Sequence, residues 1–257
     1  MIRHSYTHDW ELLAKTDPLF AVLSDPLYQR ANLSPEAERR FWHTGEAYVQ
    51  YISDLFRTHF GEPCRPSRAL DFGCGVGRIL VPLARISGEA VGIDASPTML
   101  ELARAACDRA ALRNVSFAQS PMPGESFDLV NSTLVFQHIP VRVGLPILAT
   151  LLQQISPNGF LSLHLLFERP RSRPAYRIVR WLRSTLQPLH LITNRLRGSA
   201  PSTPYMQMNP YPLNKVLTLL STNGIREVYL VMRSRNGSEI ALLLGRKSKN
   251  AVPAEAA

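Results

Sequence analysis

The chain has 257 residues, of which 45% are hydrophobic and 19% charged, and its formal net charge is +9. These values are typical of a globular protein with a well-buried core, and no apolar run reaches the roughly 18 residues of a membrane-spanning helix. The excess of basic residues favours an anionic partner. The three cysteines lack the spacing of metal ligands, so we expect no structural metal. The first ten residues have no apolar leader, which together with the cysteine content predicts a cytoplasmic protein.

Residues 1–65 have the pattern of a helical cap that precedes the rest of the fold. Pro35 suits the first turn of a helix, Ser34 is a suitable N-cap for it, and Gly61 supplies its end. Two interpretations of this layer stay open. It either packs on the core or covers a ligand site, which its aromatic side chains would then line: Trp10, Phe41, Trp42 and Tyr48.

A glycine-rich turn follows the first apolar strand. The strand ends in Asp71, the turn carries Gly73, Gly75 and Gly77, and a helical pattern begins at Arg78. Such glycines let the backbone turn sharply and let a ligand approach closely, and the amides at the start of the next helix face that ligand. The spacing differs from the GxGxxG of dinucleotide sites, and an acid ahead of it would repel a diphosphate.

This DxGxGxG sequence resembles motif I of the class I S-adenosylmethionine-dependent methyltransferases. The resemblance implies an α/β fold of seven strands in the order 3-2-1-4-5-7-6 with the last strand antiparallel, and S-adenosylmethionine as the cofactor. That molecule carries an ammonium and a sulfonium, which a carboxylate would attract. The alternative interpretation is a glycine turn that binds no ligand. The motif places Asp71, Gly73, Cys74, Gly75 and Gly77 among the cofactor-binding residues.

A second apolar strand over 89–94 ends in another acid, Asp94, which follows Gly77 by 17 residues. A carboxylate at this strand end can accept two charge-assisted hydrogen bonds from a ribose diol, and the resemblance implies the same role. Ser96 and Pro97 start the next helix, which places Ala95 and Met99 beside the expected adenine, although Met99 also suits the core.

The third strand, predicted over 115–118, departs from the family pattern. An acid usually follows this strand to bind the adenine amino group, but Gln119 and Ser120 stand here. Either of these side chains, or a backbone carbonyl, is expected to take that role. The connection over 119–126 is too short for the usual helix.

The fourth strand, predicted over 127–132, leads into Gln137 and His138. In the resembled topology this strand end lies beside the glycine turn, so both side chains are expected to border the transferable methyl group. His138 is the candidate general base toward an acceptor hydroxyl, and a structural histidine that shapes the pocket is the equal alternative. A helix over 141–156, a turn at 157–159 and a fifth strand over 160–167 should follow.

A basic insertion comes next, with eight arginines and no acid between residues 169 and 197. Helical spacing places Arg173, Arg177 and Arg180 on one face opposite an apolar face. Three uses stay open for this helix: an active-site lid, a peripheral membrane contact, or an RNA-binding surface. Beyond it, a helix over 212–220 and a hairpin around Asn236-Gly237 match the closing antiparallel strands of the resembled fold.

The predicted organisation is a helical cap over 1–65, a cofactor-binding core over 66–168, the basic insertion over 169–208, a helix and hairpin that complete the core over 209–247, and a disordered tail over 248–257. The leading hypothesis is a methyltransferase that acts on a small molecule, such as a sugar or lipid-linked hydroxyl. RNA methylation through the insertion and a noncatalytic, cofactor-binding or membrane-associated module are the alternatives.

Overall fold

A seven-stranded sheet organises the chain in the computed structural model, which describes residues 6–169, 206–235 and 237–249. The strand order is β3-β2-β1-β4-β5-β7-β6, with β7 antiparallel to both of its neighbours and the pairs among β1 to β5 parallel. This confirms the predicted class I methyltransferase fold. The strands are β1 Arg68–Phe72, β2 Glu89–Ile93, β3 Val115–Ala118, β4 Phe127–Ser132, β5 Ile155–Glu168, β6 Glu227–Arg235 and β7 Ser238–Arg246.

Helices precede the sheet and connect its strands, as the sequence predicts. The Ser34 hydroxyl accepts a hydrogen bond from the Ala37 N–H at 3.1 Å, and Gly61 ends the same helix with a left-handed φ of 78°. Short 3-10 turns lie at Pro26–Tyr28 and Phe136–His138. The helices are α1 Tyr6–Thr16, α2 Pro18–Val22, α3 Pro35–Phe60, α4 Leu80–Ile86, α5 Pro97–Arg109, α6 Val141–Gln153 and α7 Leu213–Thr222.

Helices cover both faces of the sheet, which explains why its central strands are nearly continuous apolar runs. On one face Ile52 and Phe56 of α3 pack against Leu129 of β4. On the other face Leu148 of α6 and Leu220 of α7 lie in one cluster with the next residue of β4, Val130. Because successive strand residues point to opposite faces, every side chain of β4 can be assigned to one of these two layers.

The predicted turn at 157–159 is wrong, because these residues lie inside β5. Phe127 pairs with Ile155 but Leu129 pairs with Phe160, so β5 carries a bulge where Asn158 has a φ of 64°. The bulge stays paired because the Asn158 N–H donates to the Lys247 carbonyl at 3.0 Å and the Lys247 N–H donates to the carbonyl of Gly159 at 2.9 Å. The turn residues therefore bend a strand and do not precede one.

The closing hairpin is confirmed. Arg235 pairs with Ser238, which is the two-residue connection that an Asn-Gly pair predicts, and Gly237 has a φ of 70°. Beyond β7, the Ser248 N–H donates to the carbonyl of Gly224 at 2.9 Å, within the segment predicted as a tail. The predicted division into domains stays a prediction.

The predicted basic helix falls on residues 170–205, outside the described part of the chain, and so do Arg173, Arg177 and Arg180. Among residues 6–169, 206–235 and 237–249, no helix is long and apolar enough to cross a membrane.

Candidate functional site

The turn after β1 is held against the end of β2 by backbone hydrogen bonds. The N–H groups of Gly73 and Cys74 both donate to the Ile93 carbonyl, at 2.7 and 3.0 Å. Gly73 has a φ of 75°, and a Cβ there would lie 2.2 Å from a methyl carbon of Val135. Only glycine fits this position, because the backbone is left-handed and the space above it is filled. The turn therefore brings β1, β2 and the segment after β4 together.

Asp94 follows β2 and fastens the same turn from its other side. One carboxylate oxygen accepts the Gly75 N–H at 2.9 Å, and the other accepts the Ser96 N–H at 2.9 Å. Burial raises the pKa of Asp94, and these two hydrogen bonds oppose that rise. Each oxygen of an ionised carboxylate has two lone pairs, so each retains one for a ligand. A carboxylate fixed in this way can accept both hydroxyls of a vicinal diol.

A cavity of about 340 Å³ opens where the carboxyl ends of β1, β2 and β4 meet. This is the edge at which open α/β sheets bind ligands, and the volume suits a small molecule. Most of its wall is apolar, with the Asp94 carboxylate among the few polar groups. The wall is formed by Trp10, Ala21, Val22, Phe72, Gly73, Gly75, Ile93, Asp94, Ala95, Met99, Gln119, Ser120, Pro121, Thr133, Leu134, Val135, His138, Ile139 and Ile147.

The N-terminal helices close one side of this cavity. Glu11 of α1 accepts hydrogen bonds from the hydroxyls of Ser96 and Thr98, both at 2.6 Å, and pairs with Lys15 at 3.1 Å. Burial disfavours the charged carboxylate, but the hydrogen bonds from Ser96, Thr98 and Lys15 outweigh it and lower the pKa of Glu11 to about 2. Glu11 thus attaches α1 to the start of α5 and holds Trp10 in the cavity wall.

The aromatic side chains of the N-terminal layer lie in different environments, and its role as the cover of a ligand site stays a prediction. Trp10 lines the cavity, whereas Phe41 is fully buried in the core. Tyr48 lines a second, smaller cavity, and Trp42 packs in the clusters beneath α3 and α5. Aromatic spacing along a helix does not distinguish these outcomes, because they depend on which neighbour faces each side chain.

His138 lies in the wall with both ring nitrogens engaged. Its Nδ1 donates to the Gln207 carbonyl at 2.7 Å, which leaves Nε2 to accept from the side-chain amide of Gln137 at 3.2 Å. The Trp10 ring meets the imidazole edge-on at 4.8 Å between centroids. Burial lowers the pKa of His138 to about 4, although the bond to Gln207 raises it. A neutral imidazole with an occupied Nε2 shapes the pocket, and it is a weak base until Gln137 moves away.

Eight of the twelve predicted site residues lie in the cavity wall: Gly73, Gly75, Asp94, Ala95, Met99, Gln119, Ser120 and His138. The other four residues do not line this cavity. The Cys74 thiol faces Gly92 in the core, Gly77 packs on Ala103, and Gln137 is buried against His138. No described contact tests any of the twelve as a cofactor ligand, so those roles stay predictions.

Asp71 also differs from its expected position, since its carboxylate does not line the cavity. It is only 3% exposed and accepts a hydrogen bond from the Asn131 side-chain amide at 2.7 Å. Burial raises the pKa of Asp71 to about 6, while Asn131 and the nearby charge of Arg78 lower it. This position differs from the one expected for a group that faces the cofactor, and the cofactor-binding role of Asp71 stays a prediction. Its side chain points into the layer beneath α3.

Sequence reasoning missed Glu11 and the residues that follow β4. Thr133, Leu134 and Val135 all line the cavity, and Leu134 has a left-handed φ of 64° that costs a non-glycine residue about 1 kcal/mol or more. No local pattern predicts Glu11, because its partners lie 85 residues or more away in the chain. The other three residues directly follow β4 and precede the predicted Gln137 and His138, and this position in the chain could have identified them.

Comparison with known proteins relates this site to methyltransferase domains. A family model described as a methyltransferase domain matches residues 70–163, which include the glycine turn, Asp94 and His138. The chain therefore resembles a methyltransferase over residues 70–163, and its strand order is that of the class I S-adenosylmethionine-dependent methyltransferases. Its fold also matches magnesium protoporphyrin IX methyltransferase from Synechocystis with bound cofactor, at a TM-score of 0.57, 15% identity and coverage of 93% of this chain and 97% of that chain. The N-methyltransferase NodS from Bradyrhizobium japonicum, in complex with S-adenosylhomocysteine, matches at a TM-score of 0.54 and 16% identity, with coverage of 93% of this chain and 98% of that chain.

Curated relatives are more similar in sequence over shorter regions. A ubiquinone biosynthesis O-methyltransferase from Cereibacter sphaeroides is 32% identical over 149 residues, which are 52% of this chain and 60% of that protein. One of the same name from Azorhizobium caulinodans is 33% identical over 122 residues, 43% of this chain and 47% of that protein. An aklanonic acid methyltransferase from a Streptomyces strain is 40% identical over 106 residues, which are 37% of this chain and 48% of that protein. The matches thus span about half the length of these relatives.

The cavity suits S-adenosylmethionine, the cofactor of the family. Asp94 keeps one lone pair on each oxygen beside an apolar wall that includes Met99 and Ile93. At Gly75 the absence of a side chain lets the turn pack closely, because a Cβ there would approach a Val22 methyl carbon to 2.8 Å. These residues provide a diol acceptor, a flat apolar surface and a close backbone approach. All three match a nucleoside.

We predict that His138→Gln changes how stability depends on pH. The pKa of His138 is lowered from 6.5 to about 4 on folding, so the unfolded chain binds the proton more readily between those pH values. The wild type should therefore lose up to roughly 3 kcal/mol of unfolding free energy as the pH falls through this range, relative to the variant. Glutamine keeps an N–H donor for Gln207 and does not titrate.

Urea unfolding at several pH values measures this difference. Comparison of the two proteins cancels the opposite contribution of Asp71, whose raised pKa is present in both. A difference that stays constant between pH 6.5 and 4 would contradict the buried, neutral imidazole.

Proposed function

We propose that this chain transfers a methyl group from S-adenosylmethionine to a hydroxyl of a small molecule, such as a sugar or a lipid-linked metabolite. The observation that carries the proposal is the Asp94 carboxylate, whose oxygens are both fixed by backbone N–H groups at 2.9 Å and face the main cavity. The names of the relatives support a small acceptor, since they include ubiquinone biosynthesis O-methyltransferases and an aklanonic acid methyltransferase.

In the proposed reaction, the described residues position the reactants. When bound, S-adenosylmethionine supplies an electrophilic methyl group on a sulfonium. Asp94 holds the ribose end of the cavity, and Trp10 and Val22 exclude water from its side. Thr133, Leu134 and His138 border the other end, where the acceptor oxygen must lie in line with the methyl group. Alignment of two bound reactants supplies much of the acceleration in such transfers.

The proposal needs no strong base. The low pKa of His138 and its contact with Gln137 make it a weak proton acceptor at neutral pH. An acceptor hydroxyl that ionises readily, or one that passes its proton to water after transfer, is compatible with this site. His138 then acts by fixing the wall opposite the turn.

We predict that Asp94→Asn weakens cofactor binding. Asparagine replaces one acceptor oxygen with an N–H₂ group, which loses a hydrogen bond to the ribose and faces the backbone N–H donors already present. Loss of a charge-assisted hydrogen bond should reduce affinity by about tenfold to a hundredfold. Calorimetric titration with S-adenosylhomocysteine measures this, and Asp108→Asn, at an exposed acid on α5, is the matched control.

Two results would contradict the proposal. The first is a native protein that does not bind S-adenosylhomocysteine, and the second is an Asp94→Asn protein that binds it as tightly as the wild type and the Asp108→Asn control.

We further propose that the basic insertion contacts the acceptor or the anionic surface that carries it. The support is the sequence alone, in which Arg173, Arg177 and Arg180 recur at helical spacing. Arg177→Glu combined with Arg180→Glu should then reduce sedimentation with vesicles that contain anionic lipid. Equal sedimentation of variant and wild type, or none by either protein, would refute the membrane contact, and co-purifying RNA released by salt would favour a nucleic-acid contact instead.

A further inference from the structure

A second cavity, of about 240 Å³, lies beneath α3 on the opposite side of the segment that follows β4. Thr133 and Leu134 line both this cavity and the main one, so the two spaces meet at these residues. The second cavity is formed by Leu23, Thr44, Tyr48, Tyr51, Arg78, Thr133, Leu134, His164, Val231, Arg233, Ile240 and Leu242.

A row of polar side chains crosses the sheet beside this cavity. Asp71 of β1, Asn131 of β4 and Ser162 of β5 are in register on neighbouring strands and point toward α3. Tyr48 of α3 contacts two of them: its hydroxyl lies 2.9 Å from the Ser162 hydroxyl and 3.3 Å from the side-chain amide oxygen of Asn131. The same hydroxyl accepts a hydrogen bond from Thr133 at 2.8 Å. These contacts fix Tyr48 and Thr133 in the cavity wall.

Arg78 brings a buried positive charge to the same cavity. It is 5% exposed, and one guanidinium N–H₂ group donates to Thr44 at 3.3 Å. Its Nε has no hydrogen-bond partner in the described part of the chain. Among those residues no ion pair joins it to Asp71, whose second carboxylate oxygen also has no partner. A buried guanidinium with a free donor is costly unless a ligand completes it.

The Arg78 backbone is held firmly, since a Cβ at Gly45 of α3 would lie 1.9 Å from the Arg78 carbonyl oxygen. The helix therefore packs directly on this residue. Arg78 lines the cavity and is 5% exposed, so its side chain occupies a buried, packed position and is not a loose surface group.

Two further basic groups face this space. The Nδ1 of His164, on β5, is buried without a hydrogen-bond partner among the described residues. Arg233 lies at the rim, where its guanidinium contacts the Tyr51 hydroxyl at 3.4 Å and the Tyr51 ring at 5.6 Å. Burial, with the charges of Arg78 and Arg233, lowers the pKa of His164 to about 4, so its ring is neutral at pH 7. The cavity thus holds two permanent positive charges and a neutral polar ring.

Among the residues that the structure describes, the lining includes no carboxylate, and its apolar part includes Leu23, Val231, Ile240 and Leu242. A ligand that matches these walls has an apolar body and a single anionic group. The planar guanidinium groups offer parallel N–H donors, which match the two oxygens of a carboxylate. A phosphate dianion is a poorer match, because most of the surrounding surface is apolar and would leave its additional charge without partners.

We propose that the second cavity binds the acceptor through a carboxylate held by Arg78 and Arg233, with the reactive hydroxyl directed past Thr133 and Leu134 toward the methyl donor. This inference rests on the proposed function and names its substrate class as a hydroxy acid with an apolar body. Arg78 and Arg233 are positioning residues in this scheme, since they hold the end of the acceptor that does not react.

Ligand-observed NMR titration of the full chain, saturated with S-adenosylhomocysteine, tests the inference with three probes: benzoate, benzyl alcohol and inorganic phosphate. Benzoate should bind about tenfold more tightly than its neutral counterpart, the ratio expected for a charge-assisted hydrogen bond. Arg233→Gln should remove most of that preference and leave the affinity for benzyl alcohol unchanged. Arg113→Gln, at an exposed arginine remote from the cavity, is the matched control.

Arg78→Lys gives a second measurement, because lysine keeps the charge but loses the planar pair of donors. It should reduce benzoate affinity by several fold. Unfolding curves for both variants show whether they remain folded, and Arg233, which is exposed, should tolerate replacement if Arg78 does not.

Equal affinity for benzoate and benzyl alcohol would overturn the inference, as would an unchanged benzoate affinity in Arg233→Gln. Phosphate that binds as tightly as benzoate would also overturn it and indicate an adventitious anion site. S-adenosylhomocysteine binding, measured on the same samples, separates the two proposals. If it is intact while the carboxylate preference is absent, only this inference fails, and if it is absent the proposed methyl transfer fails as well.

Discussion

The attachment of the turn after β1 to the end of β2 is the constraint on which the site depends. The Ile93 carbonyl accepts two N–H groups of this turn, and the Asp94 carboxylate accepts a third from Gly75. These bonds require a left-handed backbone at Gly73, and Val135 fills the space where a side chain would otherwise stand. One short stretch therefore orients the diol acceptor, opens the main cavity and positions the segment after β4.

The sequence predicted the fold, and eight of its twelve candidate site residues line one cavity, because both depend on local patterns. Apolar strands, glycine spacing and Ser34 or Ser96 as helix caps are each written within a few residues, and the structure confirms the resulting elements. Asp94 could be found in the same way, since it directly follows a strand at a predictable distance from the glycines. The Asn-Gly pair likewise predicted the closing hairpin.

Contacts between distant segments could not be predicted. Asp71 belongs to the same motif as the glycines, yet its carboxylate contacts Asn131. Alternate residues of a strand share one face, and on β1 and β4 the face that includes Asp71 and Asn131 lies toward α3. Glu11 meets Ser96 and Thr98 only once α1 lies over α5. The second cavity forms only when α3 meets five residues from three strands, which are far apart in the sequence. The sequence around Arg78 therefore indicated only the start of a helix. Leu134 joins the two cavities through a strained conformation that no sequence pattern indicated.

A crystal structure of the chain with S-adenosylhomocysteine would test the central claim most directly. We expect both ribose hydroxyls to lie within hydrogen-bonding distance of the two Asp94 oxygens, with the sulfur near Thr133 and Leu134, where the two cavities meet. A nucleoside bound elsewhere, or one in the main cavity whose ribose does not contact Asp94, would contradict it.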